Sequence, residues 1–409
     1  LVAAFESAAL TEPDSPGADV LRQAARIAFK GLVRTAMENE IHQGLKEAAD
    51  RAASCVHGEK VRRLLREPPL GPRPVLGVDP VVRSGSRIAV VDGSGACLAS
   101  GFVHRQSDEQ KDAARRLLVS LARTHAVEAV AVGSGAAGRD CEIFVRAALK
   151  EAGLDVPVVL VSDTGAGAWA SSDAVKEETA ELDPPARTAV FLARRLQDPL
   201  RELVGLDPRT LCGRQHAHDV APAVLIQELG AVVESCVHEV GVDVNAAPRP
   251  LLSRVSGIGS TLAGAIVAWR GEKGPFRSRQ QLRDVPDLGE KAFTQAAGFL
   301  RVRDGEHALD RTGVHPEHYA VLETAAERLG KAPADLLGEG VASLRDDAEL
   351  KGQLGPWARE DVLRELERAG RDPRGPFVPF SFREDVRTLA DLKPGMVCPG
   401  IVTSVASFG

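Results

Sequence analysis

The sequence predicts a multi-domain, mainly α protein built around one central α/β domain. Three observations carry this. At 409 residues the chain exceeds one domain of about 100–200 residues. Apolar residues recur at helical spacing in "VLRQAARIAFKGLVRTAMENEI" and through most of the chain after residue 186. Between Val75 and Ser162, instead, come short apolar runs, "VLGV", "RIAVVDG", "VEAVAVG" and "VPVVLVS", each ending in Gly, Val, Asp or Ser. Runs of that length bounded by turn residues read as buried strands.

Taken in order, residues 1–70 form a helical region, ended by "EPPLGPRP", whose prolines cannot continue a helix. Residues 71–185 form the α/β domain. Its first two strands are close enough to make a hairpin. The later ones alternate with the helical stretches "DAARRLLVSLARTH" and "CEIFVRAALKEAG", so the sheet is partly parallel. Residues 186–248 read as a helical connector, 249–303 as two copies of a small helical device, and 304–375 as further helices. "RDPRGPFVPF" is a linker. Residues 390–409, "LKPGMVCPGIVTSVASFG" at their core, read as two strands of a domain that breaks off. With Leu at position 1, the chain reads as a piece of a longer protein.

Composition narrows the function. Aromatics are 4 % of the chain, too few for broad base-stacking platforms. The six cysteines form no Cys-x-x-Cys pair, which points to a reducing, cytoplasmic setting rather than disulfides or zinc. No apolar run of about 18 residues occurs, so no membrane partner is expected. The net charge is −6, yet residues 249–303 hold ten Lys/Arg against four Asp/Glu. A basic module on an acidic protein is the footprint of polyanion binding.

The same segment holds the repeat. "VSGIGSTLAGAIVAWR" and, about thirty residues on, "VPDLGEKAFTQAAGFLRV" each place an apolar residue and a glycine at a helix start. The first N–H groups of a helix lack intrahelical partners, and the dipole adds positive charge there. Such a start suits a phosphate. Two of them can hold a nucleic-acid backbone without reading bases. The contacts expected are Gly257, Ile258, Gly259, Ser260 and Thr261 in the first copy and Leu288, Gly289 and Lys291 in the second. Arg254, Arg270, Arg277 and Arg279 are the nearby cations.

These residues also carry a family resemblance. The segment "VSGIGSTLAGAIVAWRGEKGPFRSRQQLRDVPDLGEKAFTQAAGFLRV" resembles the tandem helix-hairpin-helix module of the bacterial Tex family of transcription accessory proteins. "RPVLGVDPVVRSGSRIAVVDGSG", "ARRLQDPLRELVGLDPRTL", "VGVDVNAAPRPLLSRVSG" and "RDPRGPF" match in the same order. The resemblance implies a YqgF-type, RNase H-like α/β domain and a C-terminal OB-type S1 barrel, here cut after about two strands, with the extreme N-terminal part missing. It implies binding of RNA or DNA in support of transcription, beside RNA polymerase, and no enzyme activity. Phe408 matches an aromatic that S1 domains present to RNA.

An alternative function rests on carboxylates. Asp79 in "VLGVDP" and Asp163 in "VVLVSD" end strands, where α/β sheets place ligands. The resemblance adds Asp198 of "RRLQDPL". Three such carboxylates could hold Mg²⁺ for a nuclease. Asp163 stands where the family has Glu, one methylene shorter. No resident cofactor is expected otherwise. A second alternative, a dinucleotide-binding oxidoreductase, rests on Gly133-Ser134-Gly135-Ala136-Ala137-Gly138, a G-x-G-x-x-G between a strand and a helix. Against it, the motif does not follow the first strand, and Asp163 lies 25 residues past Gly138 rather than about 20 past the motif. "GRQHAHDV" gathers His216, His218 and Asp219, but His at i and i+2 do not share a helix face. Arg22, Arg26, Lys30 and Arg34 read as a solvated basic stripe.

Overall fold

The computed structural model describes residues 1–400 apart from 11, 83–84, 173–174, 177–178, 180–181, 184–185, 213–216, 381, 384 and 387–388. The N-terminal region is helical: α1 (Val2–Ala9), α2 (Ala18–Ala28), a π turn, and the long α3 (Arg34–Leu65). In the basic stripe Arg22 pairs with Asp19, Arg26 with Glu6 and Arg34 with Glu38. It is a surface of solvated ion pairs.

The central sheet contains β1 (Val75–Val81), β2 (Gly85–Val91), β3 (Cys97–Val103), β4 (Ala129–Gly133) and β5 (Val158–Val161) in the order β3-β2-β1-β4-β5. The first three strands are antiparallel, as the short connections require. β1–β4 and β4–β5 are parallel, joined through α4 (Asp108–Thr124) and α5 (Gly138–Glu151). The sheet is mixed, unlike the parallel sheet of a doubly wound dinucleotide fold.

Strand alternation sorts the side chains onto two cores. Leu76, Val78, Val130 and Val132 face α4 and α5. Val75, Ala129 and Ala131 face the other way, onto α7 (Ala186–Gln197). Residues 186–197 are therefore part of the α/β unit, not of a connector beginning at 186. Their apolar positions suit either role, and only packing decides. Gly77 makes the approach possible, because a Cβ there would collide with the carbonyl of Ala189.

After α6 (Ala166–Ser171), α7, α8 (Pro199–Leu203) and α9 (Pro208–Leu211) comes α10 (Pro222–Val240). Lys46, Cys55 and Arg62 of α3, and Arg66 just after it, meet Asp219, Glu228, Ser235 and Glu239. The offset is a constant 173 residues in the first three pairs, so α10 runs parallel to α3. The α7 core continues without a break through α10 into residues 251–302. There lie α11 (Arg249–Leu252), α12 (Ser260–Lys273), α13 (Glu290–Ala296), and the two-residue parallel pair of β6 (Val242–Asp243) with β7 (Leu300–Arg301). A last helical unit, α14 (Tyr319–Arg328) to α17 (Pro356–Glu367), has its own core around Leu322, Leu344 and Leu366. Among the described residues of 390–400 there is no strand. Residues 401–409, with Phe408, lie outside the described set, as does His216.

Candidate nucleic-acid interface

The two hairpin loops superpose residue for residue in sequence: Val255-Ser256-Gly257-Ile258-Gly259 and Val285-Pro286-Asp287-Leu288-Gly289. In each, the apolar residue before the glycine is a plug. Ile258 and Leu288 are buried, at 3 % and 6 % exposure, and their N–H groups donate to Val255 and Val285 at 2.9 and 3.2 Å. Their side chains pack inward and anchor the loop rather than facing outward beside the glycine. The glycines that follow are the exposed helix caps. Gly259 and Gly289 sit in extended backbone (φ −79° and −71°) with open space where a Cβ would be.

The left-handed position precedes the plug. Gly257 has φ +82°, and a Cβ there would lie 2.9 Å from the Ala292 carbonyl and the Gln295 Cβ of α13. The first loop thus packs on the second helix. In the second loop the same position is Asp287, at φ +64°. Asp tolerates that region better than most side chains. Gly257→Ala is expected to cost about 1–2 kcal/mol from φ alone, with the Cβ contact adding to it, read as a lowered thermal midpoint.

The two loops are not equivalent. α12 has 14 residues and starts with Ser260 and Thr261, both exposed. Arg249, which sequence reasoning did not single out, reaches over this start. Its Nε and Nη2 donate to the Ser260 carbonyl and Oγ at 3.2 and 3.0 Å. α13 has 7 residues and starts with Glu290. That carboxylate occupies the positive end of its own helix and takes Arg283 at 2.7 Å. Lys291 beside it is exposed.

Of the other cations expected here, Arg279 is misassigned. It is fully buried, and its guanidinium donates to the carbonyls of Val314 (2.7 Å), Asp310 (2.9 Å), Leu309 and Thr312. It clamps the hairpins to the last helical unit. Arg270 is turned inward, donating to Val244 O at 2.6 Å. Arg277 is exposed and faces Glu306 at 3.4 Å. Among the described residues Arg249, Arg254, Lys273 and Lys291 make no ion pair, so they remain for an outside anion.

His238 joins the first loop to α10. Its Nε2 accepts the Ser256 N–H at 3.1 Å, and its ring stacks on Phe299 at 3.9 Å. Burial holds its pKa below the ordinary value of 6.5. A base whose folded pKa is depressed contributes stability above the unfolded pKa and loses it as pH falls. The His238 ring is expected to titrate below 6.5 by NMR, and the Ser256 amide to lose exchange protection over the same range.

The carboxylates of the sheet do not form a set. Asp79 and Asp163 do flank one turn: a Cβ on Gly133 would lie 3.8 Å from Asp79 Oδ1, and one on Gly135 3.0 Å from Asp163 Oδ2. Asp79 Oδ2, however, already accepts from Arg87 (2.9 Å) and Thr188 (2.5 Å). Asp198 is elsewhere. Thr188 of α7 meets Asp79, and Asp198 follows ten residues later, about 15 Å along the axis. It caps α8 and takes Arg374 at 2.6 Å. Among the described residues no group of three or more His, Cys, Asp or Glu could hold a metal ion. The donors present therefore do not fit a two-metal site. His218 and Asp219 form an exposed pair at 3.4 Å.

The glycine motif has a structural account. Gly138 donates to Gly135 O at 2.7 Å, and a Cβ on Gly138 would collide with Gly133 O. The three glycines close a tight strand-to-helix turn under Asp163.

Comparisons with known proteins agree with this division. Residues 73–197 match the family "Tex protein YqgF-like domain", so the match includes α7. Residues 237–301 match a helix-hairpin-helix motif and 307–374 an HHH domain. Protein tex of Bordetella pertussis is 41 % identical over 399 residues, 97 % of this chain and 50 % of that protein. The chain belongs to the Tex family. Transcriptional accessory protein Tex of Neisseria gonorrhoeae is 40 % identical over 400 residues, covering 97 % of this chain and 52 % of that one. The chain thus spans about half the length of the curated Tex relatives it matches. The human S1 RNA-binding domain-containing protein 1 is 33 % identical over 286 residues, 69 % of this chain and 29 % of that protein. RuvC of Thermus thermophilus in complex with Holliday junction substrate aligns with a TM-score of 0.23 at 18 % identity, over 31 % of this chain and 91 % of that one, a likeness too weak to bear on function. No helix among the described residues of this Tex-family chain is long and apolar enough to cross a membrane.

Proposed function

We propose that this chain is the nucleic-acid-holding part of a transcription accessory protein, gripping the phosphate backbone of RNA or DNA without reading bases, and that it is not an enzyme. The observation that carries this is the first hairpin. An open glycine cap leads into the N–H groups of a 14-residue helix, Arg249 lies on the Ser260 hydroxyl there, and Thr261 is exposed beside it. A phosphate there would accept from all of them. The second hairpin would add Lys291 and a weaker helix start. Arg254 and Lys273 supply unpaired positive charge nearby.

RNA polymerase is the partner we propose for the complete protein, on the transcription accessory names of its relatives. Asp79 and Asp163 would act in the turn they flank rather than on a metal. The test titrates labelled single-stranded RNA and double-stranded DNA at two salt concentrations, with and without Mg²⁺, and reads product lengths on a gel. The expected result is binding that weakens steeply with salt, is unchanged by Mg²⁺, and leaves the nucleic acid intact. Mg²⁺-dependent cleavage abolished by Asp79→Asn would replace this reading with a nuclease.

A further inference from the structure

A second feature stands apart from the hairpin loops. Between the C-terminal end of α10, the β7 segment and the loop after α17 lies a cleft of about 320 Å³. Its walls carry five arginines and three carboxylates. Each carboxylate is already matched. Glu239 pairs with Arg66 at 2.8 Å, Glu365 with Arg301 at 3.8 Å, and Asp372 with Arg374 at 2.8 Å. Arg303 faces Asp243 at 3.6 Å. Arg311, Arg368 and Arg371 are exposed and, among the described residues, have no carboxylate partner. Of these only Arg311 spends a donor on a side-chain hydrogen bond, Nε to Ala308 O at 3.2 Å.

The floor of the cleft is built around Arg301. Its guanidinium lies between Gly241 and Gly313, and a Cβ on either would fall within 3 Å of it. Nη1 donates to Gly298 O at 2.7 Å, which fixes the plane. Burial and the neighbouring Arg279 bring its pKa down to about 10, so an added negative charge would be welcome there. One residue of its wall, Glu239, directly follows His238, which holds the Ser256 N–H of the first hairpin.

We propose that this cleft is a phosphate-binding site, with Arg311, Arg368 and Arg371 as the outer donors and Arg301 at its base. The phosphate comes from the strand that leaves the first hairpin or from a small free phosphate compound. The strand source rests on the nucleic-acid reading above; the free source does not.

The test uses the full chain and the variant Arg311→Gln/Arg368→Gln/Arg371→Gln, three exposed positions whose loss should leave the thermal midpoint unchanged. Single-stranded RNA is titrated across salt, and pyrophosphate is titrated by calorimetry. If the strand fills the cleft, the slope of log affinity against log salt shrinks by about 0.7 for each phosphate that is no longer neutralised, in addition to any effect of Gly259→Glu. If a free phosphate compound fills it, the RNA slope is unchanged and the pyrophosphate signal disappears in the variant. If neither changes, the proposal is overturned. Gly259→Glu without effect, beside a triple variant that lowers the slope, would instead remove the hairpin reading and leave the cleft standing.

Discussion

Gly259→Glu is expected to weaken binding to single-stranded RNA and double-stranded DNA by roughly 10- to 100-fold, the equivalent of about 1.4–2.8 kcal/mol. The substitution puts a carboxylate where the phosphate would sit, on the cap of α12. Gly259 has extended backbone and open space at its Cβ position, so the fold should tolerate the change. Two unit charges about 4 Å apart interact by about 4 kcal/mol at an effective dielectric of 20, and solvent at an exposed cap screens much of that. Gly289→Glu should cost clearly less. The second loop already carries Glu290 paired with Arg283, and its helix is half as long. Fluorescence anisotropy of the two single variants and the double variant checks the order. Equal losses from both would mean that the loops act alike and that Glu290 does not matter. No loss from either would reduce both to helix connectors.

Arg279→Ala should be the most destabilising single change in the hairpin region, by about 3–5 kcal/mol. The side chain is fully buried and ties four carbonyls of residues 309–314 to the start of the second hairpin. Its own N–H donates to Asp310 Oδ2 at 2.8 Å, and Tyr319 donates to Asp310 Oδ1 at 2.8 Å. Removing the cation would strand Asp310, which is 2 % exposed, as an uncompensated buried charge. Arg279→Lys should recover only part of the loss, because an ammonium cannot fan out to several carbonyls as a planar guanidinium does. Denaturant unfolding of the two variants measures this. A loss under about 1 kcal/mol, typical of an exposed ion pair, would contradict the clamp.

The sequence made much of this visible. The apolar strands show plainly because residues 75–78 of β1 and all of β4 are buried on both faces, so those positions carry no polar side chain. The hairpin loops show because an apolar residue followed by glycine recurs at two helix starts; of these loop glycines Gly257 needs the left-handed backbone, while Gly259 and Gly289 leave the helix start open. What stayed hidden depends on distances that no local pattern encodes. Asp198 looks like a third carboxylate beside Asp79, yet α7 carries it to the opposite end of β1, where the preceding Gln197 donates to the carbonyls of Arg73 and Asp92. Arg279 reads as one more basic residue in a basic segment. Its burial follows from a partner surface more than thirty residues later in the chain. Ile258 and Leu288 sit in the exposed loops by sequence, but their side chains are buried. Arg249 was overlooked because it precedes the motif, on a helix of only four residues. Asp287 carried a readable signal: it stands in register with Gly257.

The Asp198–Arg374 pair has a mechanical meaning. Arg374 is almost wholly buried. Burial opposes its charge, but its hydrogen bonds to Asp372 and Asp198 prevail and hold its pKa above the ordinary arginine value. Through it, the chain 176 residues after Asp198 is fastened back to the end of α7, with the hairpins and the last helical unit inside the closed circuit. A pull on the chain beyond Arg374 would meet this clasp first and load α7 and the central sheet through it.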